Sequence, residues 1–202
     1  MIKKKDPVSG LLASDSDWHN NACLNYMPDH GTAYTEGYRR AAEILISHID
    51  SSGRDQDFLV YPVLFLYRHH TELLIKQIIE LALQLTDDPD NYQYKKDNHN
   101  LNTLWPLAQK LILKVDESYR PSDFIIVKDV VKELHQADER ATDFRYSRRN
   151  DGSRSLEGVR YINTRRFGEK MGAASDVLDG IDNSLRYQID MNAEWNSILD
   201  SF

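Results

Sequence analysis

An all-α bundle of about five helices is the fold class this chain predicts, and three observations predict it. Apolar residues recur at i, i+3, i+4 and i+7 through most of the sequence, which is the spacing of one helix face. Glycine and proline are sparse, 9 and 6 among 202 residues, so few breakers interrupt the periodic segments. Strand-like stretches are confined to the surroundings of Asn150-Asp151-Gly152, a turn signal. A chain of this length buries a full core as one domain without disulfides or metals. Its 41% hydrophobic and 28% charged content argues against disorder.

The elements follow in order. Residues 1–30 show no clear period and hold Pro, Gly, Asp and Asn, which predicts an irregular arm anchored by Trp18 and Leu24. Residues 31–202 then form a single helical-bundle domain. The first helix, over about 32–51, carries Tyr38, Ala41, Ala42, Leu45 and Ile49 on one face and ends at Gly53. The second, over about 57–85, is apolar on most sides and so belongs at the centre of the bundle. Pro62 near its start predicts a bend near Tyr61. After a polar loop, a third helix over about 102–115 lines up Leu104, Ala108, Leu111, Ile112 and Val115. The fourth, over about 123–141, has Ser122 as its expected N-cap and buries Phe124, Val127, Val130, Val131 and Leu134. The last helix starts near Asn163, an expected N-cap. Its stripe of Phe167, Met171, Ala174, Leu178, Ile181, Leu185 and Ile189 is the most regular in the chain and suits either core or dimer surface.

The net charge of −7 hides a local reversal. Residues 140–166 hold eight arginines, three acids and no lysine, an excess of +5 that leaves −12 elsewhere. This arginine-rich loop or hairpin precedes the last helix. Arg145, Tyr146, Arg148 and Arg149, interleaved with Phe144 and Tyr161, are residue types suited to a single-stranded nucleic acid: guanidiniums for phosphates, rings for bases. The plainer reading is neutralisation of the acidic remainder. Asp138, Glu139 and Asp143 are close enough in sequence to pair with Arg140 or Arg145.

The stretch YRHHTELLIK, residues 67–76, places charge in the middle of the second helix. Arg68, Glu72, Lys76 and Glu80 stand four apart on one face. They form either a solvated ladder, each pair contributing about 0.2–0.5 kcal/mol, or a polar seam facing a cleft or a partner, where charges must be paired. His69 and His70 are offset by one residue, so they cannot face the same way, and at least one is solvated or a packing histidine.

The pattern R-H-x-x-E-L-x-I-K in that helix, followed by a polar loop and His99-Asn100-Leu101 at the start of the next, resembles the HEPN superfamily. The match rests on Glu72, Leu73, Lys76 and His99-Asn100-Leu101 and covers about residues 58–115. The resemblance implies an all-α, homodimeric domain. Members of that superfamily include ribonucleases of toxin–antitoxin and antiviral systems, and non-catalytic RNA- or nucleotide-binding relatives. Its ribonucleases carry an Arg followed by His after four to six residues, late in the domain. Here Arg68 is followed at once by His69 and His70, and His135 is the last histidine. The implied function is therefore RNA or nucleotide binding of bacterial defence or toxin–antitoxin type, with a metal-independent ribonuclease as its catalytic form. Such cleavage needs a group to move the 2′-OH proton and a cation at the phosphorane. The residues assigned to it are Arg68, His69, His70 and Glu72 for catalysis. Lys76, Arg145, Tyr146, Arg148 and Arg149 are assigned to phosphate or nucleic-acid binding. The alternative is a non-catalytic protein-interaction or regulatory module, and a third reading is a metal-dependent enzyme built on the bundle.

Other classes find no support. One cysteine, Cys23, cannot form an internal disulfide, which suits a reducing compartment. The longest apolar run, Phe58 to Tyr67, is too short for a membrane span and is followed by Arg68. MIKKKDPVSG lacks the apolar region of a secretory signal. A soluble, cytoplasmic protein is expected. His19, Cys23 and His30 match no zinc spacing, and no pair of Glu-x-x-His segments supplies a di-iron site. No phosphate-binding loop, dinucleotide fingerprint or nucleophile elbow occurs, so neither metal nor cofactor is expected.

Overall fold

The computed structural model describes residues 11–14, 16–24 and 30–200, with His30 described by its backbone alone. The chain divides into two units, 1–30 and 31–202. In the first, a 3₁₀ turn spans Trp18–Asn20, and the Asn20 side-chain amide donates to the Asp17 carboxylate. Leu11, Leu12, Trp18 and Leu24 are all exposed. The anchoring expected of Trp18 and Leu24 is therefore corrected: neither ring nor branch buries its apolar surface.

The second unit holds five helices: α1 (His30–Ser52), α2 (Gln56–Leu85), α3 (Leu101–Val115), α4 (Ile125–Ala137) and α5 (Thr164–Leu199). Among the described residues there is no strand, only one isolated antiparallel bridge between Arg148 and Arg154. The all-round apolar character of α2 has its structural counterpart in packing on both α3 and α5, while α4 closes against the same two helices. Ile75, Ile78, Ile79 and Ala82 of α2 are fully buried, as are Leu111 and Ile112 of α3 and Val127 of α4. Each such isoleucine, leucine or valine side chain stabilises the fold by about 1.5–3 kcal/mol when taken fully out of water. The regular stripe of α5 resolves as core. Met171, Ala174, Leu178, Ile181 and Leu185 are buried, with Phe167 and Ile189 partly so. Towards the C-terminal end of α5 a second row, Tyr187, Met191, Trp195 and Ile198, is exposed.

α1 joins the bundle by a narrower apolar face and by polar tethers. Ala42 and Ile49 are buried, and Gly168 of α5 lets Ile46 approach so closely that an added Cβ would lie 2.4 Å from its Cδ1. Arg39 reaches across to Asp176 and Asp179 of α5 while holding Glu43 at 2.8 Å on its own helix. Arg165 of α5 meets Asp50 of α1 at 3.2 Å.

The ends of the elements follow their side chains. Gly53, in left-handed backbone (φ 63°), returns its amide to the Ile49 carbonyl and stops α1. Asn100 caps α3 by accepting from the Asn102 amide, and Asn163 caps α5 by accepting from the Arg166 amide, both at 2.9 Å. Pro62 lies in the second turn of α2, where it removes one amide from the helical ladder. Two expectations for α4 are corrected. Ser122 does not cap it, because Pro121–Phe124 form a separate 3₁₀ turn closed by the Arg120 amide donating to Asp123. The helix also ends at Ala137 rather than at 141. Asp138 ends it by accepting from the amides of Thr142 (2.6 Å) and Asp143 (2.9 Å), which turns the chain through a left-handed Ala141 (φ 59°).

Between α4 and α5 the arginine-rich segment is ordered. Arg149 and Ser153 pair backbone to backbone at 2.9 Å across the Asn150-Asp151-Gly152 turn, where Gly152 takes φ 85°. The segment is thus a loop with one rung of a hairpin, and its short strands do not extend further.

Candidate functional site

The polar seam of α2 is buried. Arg68 and Glu72 are each 2% exposed, and Arg68 Nη1 donates to Glu72 Oε2 at 2.8 Å. Three further connections satisfy this pair. Arg68 Nη2 donates to the His99 carbonyl at 2.9 Å. Lys76 Nζ donates to Glu72 Oε1 and to the Lys96 carbonyl, both at 2.9 Å. Asp138, 1% exposed, brings Oδ2 to 3.3 Å from Arg68 Nε. That last approach is a charge contact without hydrogen-bond geometry, so the Nε proton has no acceptor among the described residues. Two cations and two carboxylates therefore balance inside the protein, which is what burial of charge demands. Burial pushes the Glu72 carboxyl up, but the hydrogen bonds from Arg68, Lys76 and His99 outweigh it and hold it below the usual range.

The third partner of Glu72 is His99, whose Nδ1 lies 2.6 Å from Oε1. His99 sits one residue before the Asn100 cap, so the start of α3 presents its ring to the seam. With Glu72 ionised, Nδ1 carries the proton and Nε2 is left with a free lone pair. The His99 side chain is 61% exposed while Glu72 is buried, so the dyad spans the boundary between interior and solvent. It opens on a cleft of about 240 Å³ lined by Arg68, His69, Glu72, His99, Arg140 and Arg145, with Phe65 and Ala141 completing the wall.

Part of the cleft's wall is built by the chain reversal after α4, which contributes Arg140, Ala141 and Arg145. Asp138 holds that turn from the inside, and Arg145 Nε donates to the carbonyl of left-handed Ala141 at 2.9 Å. A non-glycine residue in this conformation is strained, and strain of this kind gathers at functional sites. Asp138 thus connects Arg68 of the buried seam to the backbone that carries Arg140 and Arg145.

The residues singled out from sequence divide into four groups. Arg68, His69 and Glu72 line the cleft. His69 is half-buried, stacked on Phe65 at 5.6 Å and edge-on to Tyr38 at 4.6 Å, and burial lowers its pKa. His70 faces elsewhere. It is fully buried, with Nδ1 3.0 Å from the Thr35 carbonyl and Nε2 2.9 Å from Ser175 Oγ, so it pins α1, α2 and α5 together. Burial lowers its pKa to about 4, which leaves it neutral. Lys76 is engaged by Glu72, and Arg149 by Asp143 through Nε at 2.8 Å and a second bond from Nη2. These two cations have their charge matched within the fold. Asp138 and Asp143 do pair with arginines, but with Arg68 and Arg149 rather than with Arg140 or Arg145. Arg145, Tyr146 and Arg148 line a neighbouring cavity.

His99, Asp138 and Arg140 are the site residues that residue type and spacing did not single out. His99 stood only among the residues carrying the family resemblance. Asp138 was expected to pair with Arg140 or Arg145, and its approach to Arg68, far away in sequence, left no local signal. The N-terminal trio His19, Cys23 and His30 falls partly outside the described residues, and among those described no cluster of three or more ligating side chains could hold a metal ion. No described helix is long and apolar enough to cross a membrane.

The fold and the site define a class: an all-α bundle with an arginine-lined cleft in which a buried carboxylate pairs with an exposed histidine. Comparison with protein-family models, with characterised proteins and with solved structures finds no match that extends this class to a particular family.

Proposed function

We propose that this protein is a HEPN-like RNA-binding protein that cleaves RNA without a metal, in the cytoplasmic defence or toxin–antitoxin setting the resemblance implies. One observation carries the reading: the His99–Glu72 dyad at 2.6 Å opens into a cleft that Arg140 and Arg145 also line. His99 Nε2 takes the proton of a ribose 2′-OH while buried Glu72 stabilises the imidazolium that forms. The 2′-oxygen bonds to phosphorus and the bond to the 5′-oxygen breaks. Arg140 and Arg145 bear the charge of the phosphorane, and water supplies the proton of the departing 5′-oxygen. The products are a 2′,3′-cyclic phosphate and a 5′-hydroxyl, after which His99 returns its proton to solvent. The exposed row of α5 supports a homodimer, which light scattering on the purified protein reads directly; a monomer at every concentration would remove that part.

The test of the binding half is a salt titration with single-stranded RNA. Affinity is expected to fall steeply with salt, and Arg145→Ala is expected to weaken binding and flatten the salt slope by about one unit. Binding that ignores both salt and Arg145 would refute the reading.

A further inference from the structure

Arg145 belongs to two cavities. Beyond the cleft it lines a second one of about 490 Å³, together with Tyr61 of α2 and Phe144, Tyr146, Arg148 and Arg154 of the loop. The cleft at about 240 Å³ has room for little more than a phosphodiester linkage, whereas the second cavity falls within the roughly 300–1,000 Å³ of small-ligand sites. Its charged lining is mostly cationic, three arginines against one aspartate, with Ser147 and Ser155 beside them. Arg148 donates once, to the Gly152 carbonyl at 2.9 Å, and no carboxylate pairs with Arg154 among the described residues. The one acid in the wall, Asp143, is taken by Arg149.

Its aromatic lining is accessible. Tyr61 is 54% and Tyr146 59% exposed, so each presents ring face or edge to solvent, while Phe144 is buried at the base. The Arg145 guanidinium stands 5.5 Å from the Tyr146 ring centroid, a cation–π pair at the boundary between the two cavities. The single bridge between Arg148 and Arg154 fixes those two side chains opposite each other across the hairpin rung. Cations for phosphate beside rings for bases is the combination that single-stranded nucleic acid requires, and a paired duplex cannot offer a splayed base to it.

We infer that the second cavity is a nucleotide subsite, resting on the reading above: it takes the base and the flanking phosphate of the nucleotide next to the linkage held in the cleft. Tyr146 and Tyr61 stack or flank the base, Arg148 and Arg154 hold the flanking phosphate, and Arg145 contacts the strand between the two cavities. The substrate class that follows is unpaired RNA, read by shape and charge.

The test uses non-cleavable strands, so that binding is separated from chemistry. Fluorescence anisotropy compares a labelled 2′-O-methyl uridine hexamer, an abasic hexamer of equal charge and a 2′-O-methyl RNA duplex. The wild-type protein is expected to bind the base-bearing strand about 5- to 100-fold more tightly than the abasic one, the range that stacking of one base supplies. Tyr146→Ala, a change at an exposed ring, is expected to remove most of that preference, and Arg154→Ala to weaken both single strands alike. Equal affinity for the base-bearing and abasic strands, or a preference that survives both Tyr146→Ala and Tyr61→Ala, overturns the subsite and leaves the cleft reading standing. Preference for the duplex also overturns it. If neither single strand binds, the reading on which the subsite rests falls with it.

Discussion

Glu72→Ala tests the buried seam. The substitution removes the carboxylate that accepts from Arg68, Lys76 and His99. Arg68, 2% exposed, would keep only Asp138 as a charge partner, at 3.3 Å and without a hydrogen bond to Nε. Breaking a buried pair by deleting one partner costs about 3–5 kcal/mol. Lys76 can turn to solvent and Asp138 remains, so the loss belongs near the lower end, about 3 kcal/mol. Arg68→Met should cost more, because it leaves Glu72 and Asp138, both nearly inaccessible, with Lys76 as the one cation bonded to either. The assay is urea unfolding followed by circular dichroism, with wild type, each single variant and Arg68→Met/Glu72→Met. The double variant should lose less than the two single losses summed, since it strands fewer charges. A Glu72→Ala loss below about 1 kcal/mol would mean a solvated ladder and would refute the reasoning.

Other expectations follow from the same geometry. His70 has a folded pKa near 4 against an unfolded value of about 6.5. Its contribution is full above pH 6.5 and is lost as the pH falls towards 4, by about 3 kcal/mol in all; His70→Gln should flatten that limb of a pH series of urea unfolding curves, and an unchanged profile would contradict the assignment. Asp138→Ala should destabilise by about 3 kcal/mol or more, because it removes the acceptor of the Thr142 and Asp143 amides as well as the charge beside Arg68. Asp138→Asn should recover part of that loss by keeping an oxygen for the amides; if calorimetry finds the two variants alike, the turn does not depend on that oxygen.

The bundle was legible because its causes are local. The apolar stripes of α3, α4 and α5, the cap Asn163 and the stop at Gly53 all lie within a few residues of the structure they set. The pairing of Arg68 with Glu72 was legible in the same way, from a spacing of four. Its burial was not, because the loop before α3 and the turn after α4 cover that face from far away in sequence. The early end of α4 is a case of a local side-chain bond overriding helix propensity. Glu139, Arg140 and Ala141 are good helix formers, yet the Asp138 carboxylate offers two amides a better partner than another helical turn does. Arg149 shows the same limit on the loop, since its partner Asp143 meets it only through the reversal of the chain. Of the two adjacent histidines, helical geometry required that they diverge. Which one reached the cleft was decided by Thr35 and Ser175, contributed by other helices.

In the proposed reaction His99, oriented by buried Glu72, performs acid–base chemistry on RNA in the arginine-lined cleft. The measurement that meets this claim most directly is cleavage of unlabelled single-stranded RNA in the presence of EDTA, wild type beside His99→Ala. His99 is largely exposed, so this variant should keep its fold, as a matching thermal melt would verify. The account predicts wild-type cleavage that leaves 2′,3′-cyclic phosphate ends and a fall of about 10²- to 10⁴-fold in His99→Ala. Cleavage that disappears with EDTA, or that proceeds undiminished without His99, would contradict it, as would a wild-type protein that leaves RNA intact.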